Sequence, residues 1–162
     1  MASEELDGPA LCDPATVAMA ERIRDDWHPH LAEARIRYVF IPQGPVKNGT
    51  VRLGVAKRQS DLNSLLTGAD FVIILSHDRW QDMEPGQREG LLDHELCHCI
   101  PKLHPKTGEH DGWGIRHHDI EEFAEVVNRH GLLTAGQRDY GRKTRRQLEL
   151  FIAFELDAEP AP

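Results

Sequence analysis

Two histidines and a glutamate carry the most direct chemistry in this chain. His94 and His98 stand four residues apart, with Glu95 between them. On a helix, positions four apart lie one turn above each other on one face. Two imidazoles so placed can hold one Zn²⁺ from the same side. Glu95, beside that face, can take a proton from a zinc-bound water. The spacing matters because helical pitch sets the ligand separation. The motif is not decisive alone: a chain of 162 residues with 10 His and 14 Glu produces one His-Glu-x-x-His by accident about 5% of the time. The bland alternative is a core helix with two surface histidines, so the surrounding elements must decide.

A catalytic zinc takes three protein ligands and keeps a position open for water. The third donor should come from a later element. His118 is the first choice, at the start of a helix read from His118 to about His130. Glu122, one turn later on the same face, is the alternative ligand, or a residue that orients a ligand from behind. His110, His117, Asp119 and Glu121 are weaker candidates. By helical angle His118 and Glu122 point away from the stripe Ile120, Phe123, Ala124 and Val127. The site therefore requires that this polar face meet the first helix through the metal, or that His118 precede regular helix. A competing structural zinc would use Cys97, Cys99 and a loop histidine such as His104. Two residues apart on a helix, those thiols diverge by about 160°, so Cys99 reads as a small core residue and Cys97 as bordering the ligand face. The oxyanion partner stays open among His77, Tyr140 and a loop histidine.

The elements that must position these groups follow from patterning. The length suits one domain with a real core. Apolar residues make up 40% and charged residues 28% of the chain, an ordinary globular composition. Residues 1–13 read as a disordered lead-in, 14–155 as the folded domain and 156–162 as a flexible tail. Asp13-Pro14 opens a helix to about Trp27, with His28 and His30 at a solvated end. Residues 34–42, 50–57 and 70–76 read as strands, the last an apolar run buried on both faces. A short helix at 60–66 stops at Gly68. His77 to Met83 is a connector, and Glu84-Pro85 opens the signature helix, which runs to about Ile100 before Pro101. Leu91, Leu92, Leu96, Cys99 and Ile100 surround most of that helix, which marks it as buried. Buried His94, Glu95 and His98 would need partners, and a metal supplies them. Residues 101–117 form a loop long enough to be functional, with a short hairpin at Trp113 to Arg116. Residues 134–155 have a helical flavour.

The net charge of −8 argues against a nucleic-acid partner, and the basic cluster Arg142 to Arg146 reads as a solvated helix face. No apolar run is long enough to cross a membrane. The N-terminus lacks the pattern of a secretory signal. With three cysteines and no such signal, reduced thiols and a cytoplasmic setting are expected.

One likeness is specific. Asp70-Phe-Val-Ile-Ile-Leu-Ser with Trp80, then Leu92-Asp93-His94-Glu95-Leu96-Cys97-His98-Cys99, then His118-Asp119-Ile120-Glu121-Glu122-Phe123 resembles the family of putative phage metallopeptidases. The resemblance covers about residues 35–132. That family is similar to the SprT-like and WLM-type minimal zincins, which carry a third zinc histidine just before a phenylalanine-containing helix. Phe123 lies five residues after His118, one more than in those relatives. The resemblance implies a zincin fold and a protease-like site. The expectation is a single α+β zincin-like domain, with a small mixed sheet packed on the His-Glu-x-x-His helix and a second ligand-bearing helix. One Zn²⁺ would be held by His94, His98 and His118, with Glu95 as the base that activates zinc-bound water against a peptide or protein substrate. The alternatives are a zinc-stabilised, non-catalytic phage or prophage binding module and a DNA-associated SprT-like protease.

Overall fold

Asp13 and Pro14 start the first helix as their types predict. In the computed structural model, which describes residues 5–47, 49–118 and 124–131, helix α1 spans Pro14–Trp27. Asp13 caps it by accepting from the Thr16 N–H at 2.9 Å. Just before it, strand β1 (Ala10–Leu11) pairs antiparallel with β2 (Ile36–Ile41), and Cys12 is buried. The lead-in expected over residues 1–13 therefore already contains sheet at its end.

The second expected strand divides. Val46–Lys47 (β3) and Thr50–Val51 (β4) form a small hairpin, closed by the Arg52 N–H on the Pro45 carbonyl at 2.9 Å. The chain then re-enters the main sheet as β5 (Gly54–Arg58). Helix α2 (Asp61–Thr67) begins at a Ser60 cap and ends at Gly68, whose φ of 68° suits a residue without Cβ. Strand β6 (Phe71–Ser76) follows. The main sheet has the order β1-β2-β6-β5. Its centre, β2 with β6, is parallel, and both flanking pairs are antiparallel. Phe71, Ile73 and Leu75 of β6 are fully buried in one core with Ala20 and Ile23 of α1, whereas Val72 and Ile74 on its other face are half-buried, so the burial expected on both faces is complete on one.

The connector after β6 contains a short helix, α3 (His77–Gln81). Helix α4 (Pro85–Cys97) opens with a capping box, in which the Glu84 N–H donates to the Gln87 side chain at 2.9 Å. Leu92 and Leu96 enter the same core. The helix ends three residues earlier than the apolar pattern suggests. Cys99 and Ile100 peel away into β7 (Cys99–Leu103), which pairs antiparallel with β8 (His110–Ile115). The loop expected over 101–117 is thus mostly a hairpin, larger than the one expected at 113–116. Helix α5 (Ala124–His130) closes the described chain. Glu122, the helix read at 134–155, the basic cluster at 142–146 and the tail at 156–162 lie outside the described residues. The architecture is a small α+β domain with a mixed sheet packed on the signature helix. Among the described residues no helix is long and apolar enough to cross a membrane.

Candidate metal centre

His94 lies in the last turn of α4, and His98 is its C-terminal cap. Their Nε2 atoms are 3.3 Å apart. The β7–β8 hairpin returns the chain to this point. The Arg116 N–H donates to the His98 carbonyl at 2.8 Å, and the His98 ring donates from Nδ1 to the Arg116 carbonyl at 2.7 Å. That bond fixes the tautomer: Nδ1 carries the proton, and Nε2 turns a lone pair toward the other histidines. Two residues on, His118 places its Nε2 at 3.1 Å from that of His94 and 3.0 Å from that of His98. Tetrahedral zinc with bonds of about 2.0–2.1 Å holds its nitrogens about 3.3 Å apart. The three-histidine set therefore fits one small ion. His118 is exposed and lies outside regular helix or strand, which removes the conflict raised by its helical angle.

Glu95 is buried, at 3% exposure. Its side chain lies against β5 at Gly54. A Cβ there would come within 2.7 Å of Oε1 and 3.0 Å of Cγ of Glu95, closer than real contacts allow. Sequence patterning treats Gly54 as one more strand position. Glycine inside a strand is a usable signal of such close approach.

Asp93 is wholly buried beside this site. Its Oδ1 accepts from His28 Nε2 at 2.7 Å and from Arg129 Nη2 at 2.7 Å. Its Oδ2 accepts from Arg129 Nε at 2.7 Å and from His130 Nε2 at 2.9 Å. Burial alone would raise this carboxyl, but the bonds from His28 and Arg129 hold it down to about 2. The reading of His28 as part of a solvated helix end is therefore corrected: it is buried, and its partner lies in α4. His30 approaches the Cys99 carbonyl at 3.3 Å.

The other candidates fall elsewhere. Among the described residues, the donor groups able to hold a metal are His94, His98 and His118, and separately His28, Asp93 and Cys97. Cys97, Cys99 and His104 are not brought together. His104 accepts backbone N–H groups in the turn of the hairpin. The three cysteines are free and buried. Burial, helped by Asp93 and Glu125, pushes the Cys97 thiol up to about 12, and burial raises Cys99 as well. His110 packs on Trp113, and His117 is exposed. His77 packs edge-on against Phe40. Asp119, Glu121 and Tyr140 lie outside the described residues.

Residues 10–149 match the family described as putative phage metallopeptidase. The chain belongs to that family. The match takes in every described element from β1 to α5, so the three histidines of this phage metallopeptidase family member sit inside the matched region. No curated protein and no solved structure matches the chain.

Proposed function

We propose that the chain is a zinc-dependent peptidase, with His94, His98 and His118 as metal ligands and Glu95 as general base. The observation that carries this reading is the convergence of three Nε2 atoms at 3.0–3.3 Å on the helix that also presents Glu95. A bound Zn²⁺ would supply Lewis acidity to a peptide carbonyl and lower the pKa of water. Glu95 takes the proton released from the attacking water and delivers it to the leaving amine. Packing against Gly54 restricts where its carboxyl can go, so the base is aimed before substrate arrives. Strand β5 ends the sheet order, and an extended substrate segment can add to its outer edge. Glu95 lies against Gly54, the first residue of β5, so this strand begins beside the base.

Titration of the metal-free chain with Zn²⁺ tests the reading. One equivalent should bind tightly in the wild type and much more weakly in His118→Ala. A folded wild-type chain that takes up no zinc would end the proposal. The Gly54 contact gives a second expectation. Gly54→Ala should keep its zinc and lose about 100-fold in peptide hydrolysis, the scale of a 1 Å misplacement of a reacting group. Zinc content and hydrolysis rate measured on one preparation decide it, and full activity would show that the Glu95 contact is dispensable.

A further inference from the structure

His118 is the exposed member of the histidine group and belongs to no helix or strand. Its place therefore depends on what brackets it. On one side stands Arg116, held by two bonds to His98, one from its N–H and one to its carbonyl. On the other side stands α5. Arg116 also donates to Glu125 of α5 at 2.9 Å, so the two brackets are joined.

Helix α5 is fastened to α4 at Asp93. Arg129 grips both carboxylate oxygens with its guanidinium fork, and His130 adds a third bond. His28, from the end of α1, supplies the fourth. Trp27 backs this arrangement, with the Arg129 guanidinium 4.8 Å from its ring centre and the His130 ring edge-on at 5.2 Å. Three helices thus meet on one carboxylate, one residue from His94 in sequence.

The same place offers His28, Asp93 and Cys97 within 4.8 Å of one another, a spacing that also suits a metal. The occupancy of the carboxylate decides against it. Arg129 already sits on both oxygens, and a dication would face its fixed positive charge in a poorly solvated setting. Asp93 already has the Arg129 guanidinium and two imidazoles as partners, which makes the cluster a clamp.

We propose that Asp93 is a positioning residue for the metal centre. By fastening Arg129 and His130 of α5 to α4, it holds Glu125 of α5 against Arg116, two residues before His118. That sets the distance of the third donor from His94 and His98. The proposal rests on the reading of the histidines as a zinc centre.

The test uses substitutions on α5, away from the ligands, in the full chain. Three properties are measured: thermal unfolding of the metal-free protein, Zn²⁺ affinity by competition with a chromophoric chelator, and visible absorption of the Co²⁺-loaded protein. Arg129→Lys and His130→Ala are expected to fold and to bind Zn²⁺ about 10–100-fold more weakly, the range seen when residues behind metal ligands are removed. Their Co²⁺ absorption should move toward that of His118→Ala. His130→Gln keeps an N–H for the carboxylate and should bind nearly as the wild type does. Ile23→Val, in the core under α1, should lower stability and leave affinity unchanged. Wild-type affinity and absorption in both Arg129→Lys and His130→Ala would overturn the clamp. So would an equal loss of affinity in Ile23→Val. If Arg129→Lys does not fold, the His130→Ala and His130→Gln pair carries the same comparison. Binding of two equivalents, with the second lost in Cys97→Ser, would make the cluster a metal site and overturn the proposal. A wild type that binds no metal instead overturns the zinc reading itself, so the two failures are distinguishable.

Discussion

Glu95→Gln protein is expected to bind zinc with wild-type stoichiometry and to lose peptide hydrolysis by about 10²–10⁴-fold, the usual contribution of a positioned general base. The amide has the same shape as the carboxylate and no useful basicity. It fits the space between α4 and β5, where Gly54 leaves room for an unbranched side chain of this length. The three donors that fit a metal do not include Glu95, so metal content should not change. Metal analysis and hydrolysis of an unfolded protein substrate, run on one preparation, separate the two effects. A zinc-stapled binding module predicts a different result: Glu95→Gln would keep metal, fold and biological effect alike. A DNA-associated protease would add an affinity for DNA that falls steeply with salt, which a chain of net charge −8 is poorly suited to provide.

Asp93→Asn should destabilise the fold by about 3 kcal/mol, near the cost of removing one partner from a buried ion pair. The substitution leaves Arg129 without its counter-charge and replaces one acceptor oxygen by an amide nitrogen. It also leaves at least one of the four donors on the carboxylate without an acceptor. The wild type should show the same dependence through pH. Its Asp93 carboxyl lies at about 2 when folded and near 3.9 in an unfolded chain. A group depressed on folding stabilises above its unfolded value, and that stability disappears as pH falls from about 4 through about 2. The stability at stake is about 3 kcal/mol. Urea unfolding of the metal-free wild type at pH 7, 4 and 3 should show a loss over that window, and the Asn variant should be flatter there. Metal-free protein is needed because ligand histidines also take up protons in acid. A wild-type profile parallel to that of Asp93→Asn would show that the carboxylate is not the group responsible.

The local signals in the chain were the legible ones. Asp13-Pro14, Ser60 with Gly68, and the apolar run of β6 each act within a few residues, and each element stands where its pattern puts it. The end of α4 was not legible in this way. The apolar character of Cys99 and Ile100 is equally compatible with helix, and what draws them out is pairing with Ile115 and Gly114 across the hairpin. The break between β4 and β5 has a similar origin in the Arg52–Pro45 bond. At His28 the neighbouring Pro29 signals a solvated helix end, whereas the partner that buries it, Asp93, is 65 residues away. The spacing of His94, Glu95 and His98 announced a site, and a later histidine could be named. The roles of Gly54 and Asp93 depend on contacts between distant segments, which no local spacing encodes.

The β7–β8 hairpin takes the chain away from His98 and returns it to the same residue at Arg116. Backbone pairing therefore brings the chain carrying His118 back to His98, 20 residues earlier in sequence. Closing a flexible loop of that length costs about 3 kcal/mol of chain entropy. The ladder of the hairpin meets that cost during folding. An ion taken up by these histidines would meet a ring already closed, and its binding free energy would go into coordination rather than into ordering the chain. Such an ion would leave and return as a ligand does, with the fold remaining behind.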